Sequence, residues 1–318
     1  MPISSWVKKM IERVNGQDGE DGAEIIVDQW PLMLRLARFI RDRKTFLPEL
    51  TALVERHEAD LWESQGLVDR LKNLKYPSLT GKNWKSQLHT WMQMVYDALH
   101  ELERSPRIVV PEPPELNRSQ RRLLNRYRLR LFYVPAWSEE EFPKEFVKLV
   151  WKDYLKTSCI QRIALPGIWV AFETIRKPNY EDGEYPDDRL VADIGLDTRF
   201  NHPHLGKGEG DDLVEDILPK VARLLEPLDG QTRIQPAEIF NFLGNLFNWL
   251  TVYTTDVYPD LGSTNSAEWC ENRYDSRFTF VVGRSDGGGL EYVSENWSNV
   301  HSVRFAFRFL VQFSLQDS

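Results

Sequence analysis

Cysteine is almost absent from this chain of 318 residues, which contains only Cys159 and Cys270. Two cysteines make no disulfide framework, and their spacing makes no metal-binding cluster, so a reducing compartment is the default expectation. Long apolar runs are also missing. No stretch approaches the ~20 apolar residues that a bilayer-spanning helix needs, and membrane insertion is not expected. Met1 to Asn15 carries lysines but neither an apolar core nor a small-residue cleavage site, so no secretory signal is read there. An excess of positive charge is lacking as well. There are 48 acidic and 40 basic residues, a formal net charge of -8, which argues against general nucleic-acid binding because phosphate contact needs a cationic footprint. The one basic stretch, Arg118 to Arg130, has no aromatic platform interleaved with it and reads as a solvated helix face leading into a strand.

Aromatic residues are plentiful, with 16 Phe, 11 Trp and 11 Tyr, enough to bury a core in each of roughly two domains. The first hundred residues read as helices. From Trp84 the apolar positions Leu88, Trp91, Met92, Val95, Leu99 and Leu102 follow a 3.6-residue period over about five turns. Leu50, Leu53, Val54, His57 and Leu61 repeat the pattern, as do Leu32, Leu36, Phe39 and Ile40, and Gly16 to Gly22 is a loop. These stripes predict a helical bundle over 1–105 that serves attachment or self-association. His57, His89 and the Trp84, Trp91 and Met92 stripe are expected as core. Residues 106–116, with prolines at 106, 111, 113 and 114, predict an extended linker.

Beyond the prolines, strands and helices mix. Arg128 to Val134, Ile168 to Ile175 and Leu190 to Leu196 are strand candidates. Ser138 and Glu141 form a capping box opening a helix through Phe142, Phe146, Leu149 and Val150. Asp211 to Leu225 is a helix candidate, and so is Pro236 to Leu250, with an apolar face of Ile239, Phe240, Leu243, Leu246, Phe247 and Leu250 and proline at its first position. The expected class is α+β. Near the end, a Gly-, Ser- and Asn-rich run from Gly283 to Ser302 precedes a single strand. That strand is expected to put Phe305, Phe307, Phe309, Val311 and Phe313 on one face and a mostly polar set, with Arg304 and Arg308, on the other. A changeable run held between stiff flanks suggests a displayed binding surface.

Three blocks carry a resemblance. Arg233-Ile234-Gln235-Pro236-Ala237-Glu238-Ile239-Phe240, Asn265-Ser266-Ala267-Glu268-Trp269-Cys270 and Ala306-Phe307-Arg308-Phe309 occur in the order of the conserved blocks of the C-type-lectin fold of the formylglycine-generating-enzyme type. Val282-Gly283-Arg284-Ser285 is a loose match to the family's Arg-Gly-Gly-Ser turn, and the likeness covers roughly 125–313. It implies a C-type-lectin-like domain over 117–318, with Glu268, Trp269, Phe307 and Arg308 as scaffold. The family's enzymes use copper and a cysteine pair near the C-terminus, which this chain lacks. Its other branch, the variable proteins of diversity-generating retroelements, presents a surface randomised at adenines. Most residues from Arg284 to Arg304 belong to the set such mutagenesis yields, with Glu291, Glu295 and Trp297 outside it.

The resemblance therefore implies a non-enzymatic protein whose variable region, about 283–304, binds a protein or glycan ligand. The candidate ligand-binding residues are Ser285, Asp286, Tyr292, Ser294, Asn296, Trp297, Ser298, Asn299, His301, Ser302 and Arg304, with Tyr as a rigid contact and Ser, Asn and His as adaptable ones. No cofactor and no metal are expected. Location is expected to be cytoplasmic or, by another route of exit, in a phage particle. Two alternatives stand beside this. An oxidoreductase of the formylglycine-generating kind, or a hydrolase using His202, His204 and Asp211, would hold a metal, although these residues with Asp212 match no strong ligand spacing. A phage structural protein would oligomerise through the N-terminal helices. Gly206-Lys207-Gly208-Glu209-Gly210 lacks the spacing of a phosphate loop and reads as an ordinary loop.

Overall fold

A computed structural model of the chain describes residues 66–138, 141, 164–175, 188–199, 212–256, 258–259, 261, 267–273, 278–283, 293–297 and 305–314. The chain divides into two compact units, Met1–Gln65 and Gly66–Ser318, and every described residue belongs to the second. The expected stripes at Leu32 to Ile40 and Leu50 to Leu61, with His57, lie outside the described residues.

Helix α1, Trp84–Glu103, forms where the 3.6-residue stripe falls, and Leu88, Trp91, Met92, Val95 and Leu99 are all buried along it. Arg104 ends it in a left-handed conformation, its N–H bonded to the Leu99 carbonyl, which closes one of the orphan acceptors at a helix end. This helix, expected in a separate bundle, shares one core with the strands that follow: Trp91 packs 6.2 Å from Phe132 and Tyr96 6.2 Å from Tyr133. The expected linker, 106–116, runs along it. Gln93 donates to the Ile108 carbonyl at 2.8 Å and accepts from the Val110 N–H at 2.9 Å, so one side-chain amide supplies the bonds a strand neighbour would. His89 Nε2 lies 2.8 Å from the Val110 carbonyl, and Trp169 donates to the Pro111 carbonyl.

Helix α2, Arg118–Arg126, opens on a capping box between Asn117 and Gln120. Arg118, Arg122 and Arg126 are exposed, as on a solvated face, while Arg121 is half-buried. Arg121 donates to the Leu79 and Gly81 carbonyls, Arg126 pairs with Asp193, and the Arg130 guanidinium that follows lies over the Tyr76 and Tyr258 rings at 4.9 and 5.4 Å.

Eight strands follow among the described residues: β1 Leu129–Val134, β2 Ile168–Glu173, β3 Gln231–Ile234, β4 Ala267–Arg273, β5 Phe278–Val282, β6 Val293–Trp297, β7 Phe305–Phe307 and β8 Phe309–Phe313. They form two four-stranded sheets. The first, ordered β1-β2-β8-β3, is antiparallel throughout; the second, ordered β6-β5-β4-β7, is mixed, because β4 and β7 run parallel. The unit is thus α+β. At the outer edge of β1, Tyr76 bonds both the N–H and the carbonyl of Leu131 through its hydroxyl, and Tyr96 donates to the Tyr133 carbonyl at 2.6 Å. Two side chains close an edge that would otherwise present free backbone groups.

Three further helices are α3 Arg189–Asp193, α4 Leu218–Leu225 and α5 Ala237–Tyr253. The first corrects an expectation, since 190–196 was read as a strand. The Asp188 carboxylate accepts the Val191 N–H and caps a helical turn there, and the alternation of so short a stretch does not outweigh a cap. Asp212 likewise caps a π-turn at Leu213–Ile217 that leads into α4. Pro236 sits at the N-cap of α5, one position before the helix rather than at its first residue. All six residues of the expected apolar face of α5 are buried, and the helix packs on β1, β4 and β5, touching both sheets. Phe247 is its central contact, 5.1 Å from Phe132.

The closing segment departs most from expectation. It is not one strand with a polar face: it breaks at Arg308, with β7 in one sheet and β8 in the other, and Ala306 to Val311 are buried without interruption. Both faces are covered because each half is paired within a different sheet, and the residue at the break turns inward. Glu141 accepts from the Ser138 N–H and hydroxyl at 2.7 and 2.8 Å; the helix this box would open lies outside the described residues.

Gly167, just before β2, has φ of +67°, and a Cβ there would come 2.8 Å from the Ala136 Cβ. Gly167→Ala should cost about 1–3 kcal/mol in denaturant unfolding; unchanged stability would show that the turn can relax.

Candidate functional site

The run expected to vary, about 283–304, begins at the end of β5, contains β6 and stops just before β7, so the residues that fix those strands define the site. Gly283 ends β5 with φ of +79° and is buried, a conformation that glycine adopts without steric cost. At the other end Phe305 lies 4.8 Å from the ring of Trp269. Between them, register places β6 against β5 from Val282↔Val293 to Phe278↔Trp297. Two rows cross the whole sheet: Val293, Val282, Glu268 and Ala306, and Ser294, Val281, Trp269 and Phe307.

The four expected scaffold residues, Glu268, Trp269, Phe307 and Arg308, are all fully buried. Arg308 holds Glu268 in a two-pronged pair, Nε to Oε2 and Nη2 to Oε1, each at 2.9 Å, and donates from Nη1 to the Glu173 carbonyl at 2.6 Å. Gln235 donates to Glu268 Oε2 at 2.8 Å, and its backbone N–H bonds the Arg308 carbonyl. Arg233 grips Glu271 with a second two-pronged pair at 2.8 and 3.0 Å. The three sequence blocks are therefore brought to one place, the first joined to the second by Arg233 and Gln235, and the second to the third by Glu268.

A second buried guanidinium adjoins the first. Arg199 reaches both oxygens of Glu173, at 2.6 and 2.8 Å, both oxygens of Asp188, and the Phe307 carbonyl at 3.2 Å. Glu173 also accepts the Phe309 N–H. Three carboxylates and two guanidiniums thus surround the break between β7 and β8. Burial is the largest single influence on Asp188 and raises its pKa; the charge and hydrogen bonds of Arg199, with the Val191 N–H and the charge of Arg308, outweigh it and hold the carboxyl below its ordinary value of 3.8. Burial likewise disfavours the charged form of Arg199, but Glu173 and Asp188 together hold it firmly protonated. Such an arrangement positions a backbone, since each named charge faces a fixed partner.

Sequence reasoning missed Glu173, Asp188 and Arg199. A charged residue closing the apolar strand Ile168–Phe172 was the available signal for Glu173; Arg199 carries none, because its partners are 26 and 11 residues away. Gln235 stood inside a quoted block without a role.

Of the candidate ligand-binding residues, Ser294, Asn296 and Trp297 lie in β6, where Ser294 opposes Val281, Asn296 opposes Thr279 and Trp297 opposes Phe278. Ser285, Asp286, Tyr292, Ser298, Asn299, His301, Ser302 and Arg304 lie outside the described residues, as do Cys159, His202, His204, Gly206 to Gly210 and Asp211. Cys270 is fully buried, its thiol 3.9 Å from the Glu268 carbonyl. Among the described residues, no group of three or more His, Cys, Asp or Glu is placed to hold a metal ion, and no helix is long and apolar enough to cross a membrane.

Compared with known proteins, the chain matches no family model, no curated protein and no solved structure.

Arg308→Met leaves Glu268 buried without its counter-charge and should cost roughly 3–5 kcal/mol in urea unfolding; a loss under about 1 kcal/mol, the scale of an exposed pair, would contradict the buried pairing. Because the Asp188 pKa is lowered on folding, its contribution is present above 3.8 and is lost as pH falls through the folded value below that. Stability followed from pH 7 into acid should fall less steeply in Asp188→Asn than in the parent, and equal slopes would show that Asp188 is not coupled to Arg199.

Proposed function

We propose that residues 117–318 form a C-type-lectin-like domain of the formylglycine-generating-enzyme type. On this reading the chain is a non-enzymatic ligand-binding protein whose surface over about 283–304 is diversified by a retroelement to meet varied protein or glycan targets. The observation that carries it is the joining of the three blocks through the buried Glu268–Arg308 pair. Glu268, Trp269, Phe307 and Arg308 bond and pack against the interior on both sides of the run, which supports a framework role and leaves them no open face on which to act as acids, bases or ligand clamps.

A framework of this kind separates two properties that usually trade against each other. Stability rests on buried rows and paired charges in β4, β5, β7 and β8, whereas affinity rests on whichever side chains the run carries. Binding to a pre-organised face avoids the entropy of ordering a loop. Tyr292 would give a large, stiff contact, and Asn299, His301 and Ser302 adaptable hydrogen bonds.

The decisive observation lies in the surrounding DNA: a near-copy of the codons for 283–311, differing mainly at adenines and beside a reverse transcriptase gene, is expected. Replacing Ser285, Asp286, Tyr292, Asn299, His301 and Ser302 together by alanine should move Tm by no more than ~2 °C, as for surface sites away from packed features. A loss of several degrees, or a neighbourhood without such a copy, would overturn the reading.

A further inference from the structure

The strand directions constrain the run in a way that its composition does not reveal. β6 is antiparallel to β5, β5 is antiparallel to β4, and β7 is parallel to β4. β6 and β7 therefore run parallel, at opposite edges of the sheet. Parallel strands need a crossover, ordinarily of a dozen or more residues, yet only 298–304 separate Trp297 from Phe305.

The distance to be covered follows from the register. Crossing from β6 to β7 takes three inter-strand steps, roughly 14 Å at about 4.8 Å each. Phe305 pairs with Ala267, one row beyond the Glu268↔Val282↔Val293 row, while Trp297 lies four residues down β6 from Val293. The offset along the strands is thus about five residue rises, or ~16 Å. The diagonal is roughly 21 Å, against a maximum reach of about 26–29 Å for the eight Cα–Cα steps from 297 to 305. The connection from β5 to β6 has no such demand: Val282 and Val293 are direct partners, so 283–292 joins ends that are about 5 Å apart.

We propose that the connection from β6 to β7 is limited by its length, so that the display surface accepts exchange of side chains over 298–304 but not loss of three residues there, while 284–292 accepts both. Val293–Trp297, held in register between the two, belongs to the framework as a strand. This deepens the display reading by stating which kind of variation the surface allows, and rests on that reading for its purpose; the geometric limit is read from the register alone.

Three variants of the full chain decide it: deletion of Gly287 to Gly289, deletion of Asn299 to His301, and the triple substitution Asn299→Ala, Val300→Ala, His301→Ala. The readout is hydrogen exchange of the 293–297 amides together with Tm. The glycine deletion and the triple alanine variant should keep the parent's protection, and the 299–301 deletion should speed exchange at least tenfold. Equal protection in both deletions would overturn the length limit and leave the display reading standing. Loss of protection in the triple alanine variant would show that side chains and not length are limiting, and would count against both.

Discussion

A guanidinium with no access to water sits at the single point where the last strand passes from one sheet to the other. Taking a charge that deep costs several kcal/mol unless good geometry and further hydrogen bonds repay it. Arg308 meets both conditions, with Glu268 gripped at two points and the Glu173 carbonyl taking a third N–H. Because Glu268 is in β4, Glu173 at the end of β2 and Arg308 between β7 and β8, one side chain ties the two sheets together, beside the Arg233–Glu271 and Gln235–Glu268 links from the β3 end to β4. Arg199 repeats the device on the same carbonyl-rich corner, binding Glu173, Asp188 and the Phe307 carbonyl.

This corner accounts for why the terminal segment is broken where it is. A continuous strand from Phe305 to Phe313 would keep Arg308 within one ladder and in alternation with its neighbours. The break lets the Arg308 carbonyl accept the Gln235 N–H while its side chain turns to Glu268. Backbone and side chain at one residue thereby serve different sheets. The buried pair is weak grounds for stability in itself, since an apolar replacement of similar shape is often as good; its value here is specificity of arrangement, because no apolar contact would dictate the same crossing.

The sequence was legible where burial follows a local period. The stripe from Trp84 to Leu99 and the apolar face of α5 are set by residues three and four apart, and β1 and β2 fall where apolar β-formers cluster. It was least legible where the deciding partner is distant. Leu190 to Leu196 reads as a strand by alternation; the cap at Asp188 is local, but the Arg199 that holds it is eleven residues away. The polar face expected for the closing strand fails at Arg308: strand alternation places it opposite the Phe face, and only the resemblance marked it as scaffold, because its counter-charge Glu268 lies forty residues earlier. The attachment of the 106–116 stretch depends on Gln93 and Trp169, which no local pattern announces.

The central claim is that the framework around Arg308 is indifferent to which side chains the display run carries outside β6, over 284–292 and 298–304. Native-state hydrogen exchange at the amides of Gln235, Glu271 and Phe309, compared across chains that differ only within that run, tests it most directly. Protection at these three amides should stay constant while the run changes. Protection that rises and falls with the sequence of the run would mean that the run is part of the fold, and the separation of stability from display would not stand.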